Sequence, residues 1–319
     1  MAQMEFWRAI NQALDECMAA DERVVLFGED VGLPGGIYGV TRQLAKKYGP
    51  TRIWDTPISE AAFVGIATGA AMTGLRPIIE IMYMDFTLVA MDQLVNHAAK
   101  MRFLSQGQYS VPLVVRSMNG IIPGSCAQHS QTFDAWFNSV PGFTVIAPST
   151  HQDAYSLMKA AVALDDPVLF LEHRSMYFLQ GEVDTAMTVP IGRGVVRRSG
   201  DDLTIVSWSK GMQWSLEAAD LLREQKVNAE VIDLRTVSPV DYDLILKSVA
   251  RTRRLLVVHE AIQQGGLGAE IAARVAQELP STRIGRVGSA FAPIAPARSL
   301  AATYVPQVEG VVATALKLQ

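Results

Sequence analysis

The sequence predicts an α/β protein of two domains, each built on a largely parallel sheet covered by helices. Three observations lead there: a length of 319 residues, a hydrophobic fraction of 49% with 19% charged residues, and short apolar runs alternating with helix-length segments. A chain this long is about twice the usual domain size, so two cores are the natural division. The composition can fill both cores and excludes intrinsic disorder.

Taken in order, residues 5–20 read as a helix, and Val24-Val25-Leu26-Phe27 as a short buried strand ending in Gly28-Glu29-Asp30. A glycine-rich loop follows (Gly32, Gly35, Gly36, Gly39). A helix is expected from Ser59, as a capping residue, to Met72, with Gly74 as its stop. Pro77 to Met82 is strand-like. Segment 87–104 has Met91, Leu94, Val95, Ala98 and Met101 at helical spacing, which predicts an amphipathic helix. Pro112-Leu-Val-Val-Arg116, Phe143-Thr-Val-Ile-Ala147 and Pro167-Val-Leu-Phe-Leu171 predict further strands, with a helix over 150–163. Between Gln180 and Gly200 the pattern lapses, so the first domain is expected over 1–185, a linker over 186–200 and a smaller α/β domain over 201–319. In the second domain Leu203 to Ser207, Ala229 to Asp233 and Arg254 to His259 read as strands. Trp214, Ala218, Leu221 and Leu222 mark one helix face, and Gly268 to Leu279 another helix.

Composition removes several function classes. A net charge of -4 without basic runs gives no footprint for nucleic acid. No apolar stretch approaches the roughly 18 residues of a membrane span. The start, Met1-Ala-Gln-Met-Glu-Phe-Trp-Arg8, lacks the basic and apolar regions of a secretory signal. Two cysteines, Cys17 and Cys126, have neither metal-ligand nor redox spacing. A soluble, cytoplasmic setting is the expectation. Gly35, Gly36 and Gly39 do not follow the strand–GxGxxG–helix layout of a nucleotide loop. Gly265-Gly-Leu-Gly268 precedes a second-domain helix, where close packing explains it equally well.

Six ordered stretches carry a resemblance: Gly28-Glu-Asp30, Asp55-Thr-Pro-Ile-Ser-Glu60, Gly74-Leu-Arg-Pro77, Asp92-Gln93 with Asn96 and Ala98-Ala-Lys100, Ala127-Gln-His-Ser-Gln131, and Gly265-Gly-Leu-Gly-Ala-Glu270. Together they resemble the beta subunit of the 2-oxoacid dehydrogenase decarboxylating component, within the transketolase-like family. The resemblance implies a pyrimidine-binding domain followed by a transketolase C-terminal domain, and thiamine diphosphate as cofactor. That cofactor's exocyclic amine becomes the base for its own thiazolium carbon once a carboxyl group hydrogen-bonds a pyrimidine ring nitrogen. Glu60 matches the family's glutamate for this task; read locally, it is equally an acidic first-turn residue complementing the helix dipole. Phe86 matches the aromatic that stacks on the aminopyrimidine, the alternative being a core phenylalanine. His129 matches the catalytic histidine that serves acyl transfer to a lipoyl group, the alternative being a loop histidine held by backbone groups. His97, His151, His173 and His259 form no ligand spacing and read as core or surface residues. The resemblance also implies a potassium ion on backbone carbonyls at Leu113, Ala161, Val162, Leu164 and Asp166.

Thiamine enzymes hold magnesium and diphosphate through a Gly-Asp-Gly motif with a later Asn. The sequence contains no Gly-Asp-Gly; Gly200-Asp201-Asp202 is the nearest string. The expectation is therefore a shared site, with an alpha subunit holding Mg2+ in an alpha2beta2 heterotetramer and a lipoylated dihydrolipoyl acyltransferase core receiving the acyl group. A half of another split transketolase-like synthase, or a non-catalytic scaffold, are the alternatives; Gln128-His-Ser-Gln131 and intact Glu60, Phe86 and His129 argue against them. Glu172-His173 and Gln180-Gly-Glu-Val183 resemble acetoin dehydrogenase beta chains, while Ala290 to Pro306 departs from acetoin, pyruvate and branched-chain enzymes alike.

Overall fold

The computed structural model describes residues 1–122 and 124–319. The chain divides into two compact units: residues 1–119 with 137–191, and residues 120–136 with 192–319.

The first unit opens with β1 (Ala2–Glu5) and α1 (Phe6–Ala20). Then come β2 (Val24–Gly28), α2 (Leu44–Tyr48), β3 (Ile53–Asp55), α3 (Glu60–Met72) and β4 (Arg76–Tyr83). After α4 (Met101–Leu104) and β5 (Val114–Asn119) comes α5 (Asp134–Asn138), whose first three residues fall in the second unit, and the first unit continues with β6 (Thr144–Ile146), α6 (His151–Ala163), β7 (Val168–His173) and β8 (Gln180–Val183). Its sheet runs β6-β7-β5-β4-β2-β3 with every one of these pairs parallel. Val24, Leu26, Ile78, Val114, Val168 and Phe170 pack with Phe6, Ile10 and Leu14 of α1 and Leu157 and Met158 of α6. Their neighbours Val25, Phe27, Ile79, Ile81 and Val115 are equally buried, which is why these strands read as unbroken apolar runs. Thr150 caps α6 by accepting from the Asp153 amide.

The second unit carries β9 (Val195–Arg198), β10 (Leu203–Ser207), α7 (Gly211–Glu224), β11 (Ala229–Asp233), β12 (Thr236–Ser238), α8 (Tyr242–Thr252), β13 (Arg254–Ile262), α9 (Leu267–Glu278), β14 (Arg283–Ser289), α10 (Arg298–Tyr304) and α11 (Val308–Leu316). Its five-stranded sheet runs β14-β13-β10-β11-β9, parallel except for β9 against β11. Leu203, Ile205, Val231, Leu256 and Val258 meet Ala218, Leu222, Val311 and Ala315 in the core.

Four sequence expectations change. Segment 87–104 is not one helix: it breaks into a 3-10 turn over Met84–Ala90, a π-helical turn over Asp92–Ala98 and the single turn of α4. Leu94 and Ala98 remain buried, so the apolar spacing survives a change in winding. The lapse after Gln180 holds two short strands, β8 against β1 and β9 against β11, both antiparallel. β5 starts two residues after Pro112, which has no amide to donate. On α7 the buried stripe is Met212, Ser215, Ala218, Ala219 and Leu222, and Leu221 lies exposed at its margin.

Three neighbouring strands of the first sheet carry a buried charge cluster. Arg116 on β5 donates from Nε and Nη2 to both oxygens of Glu172 at 2.7 and 2.8 Å, and from Nη1 to Glu80 at 2.5 Å. The Tyr177 hydroxyl donates to Glu172 at 2.8 Å. Burial alone would lower the Arg116 pKa, but Glu172 and Glu80 outweigh it and hold the guanidinium charged. Replacing Arg116 with Met leaves two carboxyls buried without their cation. The expected loss is about 3–5 kcal/mol, read as a drop in the urea midpoint; an unchanged midpoint would remove this cluster from the account of stability.

Candidate active site

Gly28 ends β2 with a φ of 147°, and a Cβ there would lie 2.4 Å from the Glu80 carbonyl oxygen. Only glycine permits this approach of β2 to β4. The chain then carries Glu29 into the interior, where it is 5% exposed. The Thr56 amide donates to the Gly28 carbonyl at 2.8 Å, and the segment through Pro57 leads to Glu60, first residue of α3 and also 5% exposed. Ser59 occupies the N-cap position, yet its side chain makes no capping bond. Its carbonyl receives the Ala62 and Phe63 amides while its hydroxyl faces solvent, which corrects the expected cap. The glycine-rich loop folds on itself, with Gly36 donating to the Asp30 carbonyl and Gly32 donating to Asp55 Oδ1.

Glu29 and Glu60 form a carboxyl pair. Burial first, then the charge of Glu60 and a hydrogen bond with it, push the Glu29 pKa up to about 7. Glu29 Oε1 and Thr56 Oγ1 are buried without a hydrogen-bond partner among the described residues. Helix α3 packs against the turn that holds Phe86, whose half-buried ring meets Tyr83 edge-on at 6.0 Å. A carboxyl donor, spare buried oxygens and an aromatic face suit the polar edge and flat face of an aminopyrimidine.

His129 lies in the second unit, half-buried in the irregular segment between β5 and α5. The structure thus puts Glu60 with Phe86 in one unit and His129 in the other. Among the remaining histidines, His151 and His173 are buried, with His151 Nε2 2.7 Å from the Leu179 carbonyl oxygen. His97 is exposed beside Asp92. The carbonyls expected for potassium have protein donors: Val162 and Leu164 receive Arg76 at 2.8 and 2.6 Å, and Leu113 receives the Val168 amide. Ala161 receives the Leu164 amide, and the Asp166 carboxylate pairs with Arg102 at 2.6 Å. Neither Glu29 nor Arg116 has a role in the sequence pattern, although both stand within stretches it marks. The available signal was a charged residue inside each of three otherwise apolar strands.

The fold defines a transketolase-type subunit with a buried carboxyl pair in its first unit. Residues 2–180 match the family "Transketolase, pyrimidine binding domain", and residues 192–311 match "Transketolase, C-terminal domain". The chain is 43% identical to the pyruvate dehydrogenase E1 component subunit beta-1 of Arabidopsis thaliana, over 95% of this chain and 86% of that one. It is 42% identical to the E1 beta subunit of Rattus norvegicus, over 97% and 89%. A solved structure described as a split gene transketolase, inactive beta4 tetramer, superposes with a TM-score of 0.83 at 22% identity, covering 99% of this chain and 98% of that one. The chain belongs to the family of beta subunits of the 2-oxoacid dehydrogenase decarboxylating (E1) component.

The Glu29 shift has a sign that can be measured. Its folded pKa, about 7, lies above the ordinary 4.5, so folding takes up a proton. The stability from this group is complete below about 4.5 and is lost as pH rises to about 7. Glu29→Gln does not titrate. Urea midpoints should therefore shift in favour of the mutant, relative to wild type, between pH 5 and pH 8. A constant difference across that range would refute the shift.

Proposed function

We propose that this chain is the beta subunit of a thiamine-diphosphate-dependent 2-oxoacid dehydrogenase, carrying the pyrimidine half of the active site. The carrying observation is the buried Glu29–Glu60 pair at the start of a helix packed on the Phe86 turn. When bound, the cofactor supplies a carbon nucleophile for attack on a 2-oxo group. Glu60 would hold a proton at a ring nitrogen of the aminopyrimidine. Glu29, whose proton affinity is raised toward neutrality, can share a proton within the pair. Phe86 offers its ring as a stacking face. His129 would deliver a proton during acyl transfer to the lipoyl group of a dihydrolipoyl acyltransferase.

An alpha subunit holding magnesium and the diphosphate completes the site in this reading, as an alpha2beta2 assembly. The missing Gly-Asp-Gly supports it. So do Ile58, Ile66, Leu88 and Val89, large apolar side chains left exposed before, along and opposite α3. The pyruvate dehydrogenase names of the relatives favour pyruvate as substrate. Glu172, shared with acetoin enzymes, is engaged by Arg116 and says little about substrate. Potassium on the five carbonyls stays within the proposal, since an oxygen with one donor keeps a second lone pair. A reducing, cytoplasmic setting fits two free cysteines.

Two measurements test this reading. Calorimetric titration of thiamine diphosphate with magnesium should show affinity about 2–5 orders of magnitude weaker for beta alone than after alpha is added, the worth of a few charge-assisted contacts. Tight binding to beta alone would sink the shared site. In the reconstituted enzyme, Glu60→Gln should slow proton exchange at the thiazolium carbon by orders of magnitude without loss of assembly; near-normal exchange would take Glu60 out of the mechanism.

A further inference from the structure

Residues 120–136, which carry His129, belong to the second unit although they interrupt the first in sequence. Before Asp134 this stretch has turns and bends but no helix or strand among the described residues. Each end meets a buried carboxylate. At the start, the Ile121 amide donates to Glu260 Oε1 at 2.7 Å. At the end, Asp134, 1% exposed, accepts the Trp208 indole N–H at 2.8 Å and the Ala135 amide at 2.8 Å.

Both anchors stand on the rigid part of the unit. Trp208 follows β10 and is stacked on His259 with centroids 5.4 Å apart and 15° between planes. His259 lies on β13, one residue before Glu260, and its Nδ1 is 3.1 Å from the Ala261 carbonyl oxygen. Gly266 and Gly268 make room for it: a Cβ on either would come within 2.8 Å of the imidazole. Burial lowers the His259 pKa to about 4, so the ring stays neutral. The Ser289 hydroxyl donates to the Glu260 carbonyl.

We propose that Asp134, through Trp208, is a positioning residue for His129, and that Glu260 holds the other end of the same segment. Together they fix a loop-borne histidine to β10 and β13. Neither carboxylate needs to touch substrate or cofactor. The inference rests on the acyl-transfer role of His129.

The test uses the enzyme reconstituted with its alpha chain and acyltransferase core. Asp134→Ala should cut the overall, lipoyl-dependent rate about tenfold, the worth of one charge-assisted hydrogen bond, while the rate with an artificial electron acceptor stays within about twofold. Asp134→Asn keeps one acceptor oxygen and should recover part of the loss. Trp208→Phe breaks the same bond from the other side and keeps the stack, so it should reproduce the split; the double mutant should be no worse than either single mutant. Hydrogen exchange should quicken over 124–133 and stay unchanged in β10 and β13. Equal losses in both assays, or exchange that quickens throughout the second unit, would reduce Asp134 to a structural residue. His129→Ala is the control. If it lowers both rates equally, the acyl-transfer role fails, whereas selective loss with His129→Ala and none with Asp134→Ala or Trp208→Phe overturns the clasp.

Discussion

The guanidinium of Arg116 is a buried positive charge inside the first sheet that faces both Glu80 and Glu172. Without it, two carboxyls could not sit at the centre of three adjacent parallel strands, because an unpaired buried carboxylate costs several kcal/mol. Two carboxylates around one cation still leave a net negative charge. Glu80 stands opposite Gly28 in the β2–β4 register, one residue from Glu29. Its charge is among the influences that raise the Glu29 proton affinity, after burial and Glu60. The ion cluster that closes the core therefore also conditions the carboxyl pair of the site.

That chain of effects passes through Gly28. Its positive φ and its 2.4 Å clearance to Glu80 are backbone requirements rather than side-chain chemistry. Any residue with a Cβ would force β2 away from β4 and lift Glu29 from its place beside Glu60. The Gly-Glu-Asp string thus has two separable parts: glycine sets the strand spacing and glutamate places a buried carboxyl beside Glu60.

Much of the fold was legible because the strands are short, apolar and buried on both faces, and α1, α3 and α6 begin and end near the expected residues. Segment 87–104 was misread because the spacing of Leu94 and Ala98 satisfies an α-helix and a π-helical turn alike. β8 and β9 were hidden among glycines, since their antiparallel partners lie 175 to 181 and 33 to 38 residues away in sequence. Glu60, Phe86 and His129 stood out only through a family pattern; local sequence offers a dipole residue, a core ring and a loop histidine. The Glu29–Glu60 pair and the Arg116 cluster showed only as isolated charged residues. Their members are spread over five separate stretches, after β2, on α3 and on β4, β5 and β7, and nothing local reports that they meet.

The division into units departs from a contiguous arrangement by one excursion, residues 120–136. The chain leaves the first unit after Asn119, at the end of β5, returns at Phe137 and leaves again after Ile191. The excursion is short, and its sequence looks like an ordinary loop between two strands of one sheet. What assigns it to the second unit is polar: Glu260 at one end and Asp134 with Trp208 at the other. Apolar burial would have given a sequence signal, a run of large hydrophobic residues, whereas two carboxylates each accepting one N–H across the join give none. The carboxyl pair Glu29–Glu60 belongs to the first unit and His129 to the second. Because the chain passes between the units three times, neither can be excised as one continuous peptide with its share of the site intact.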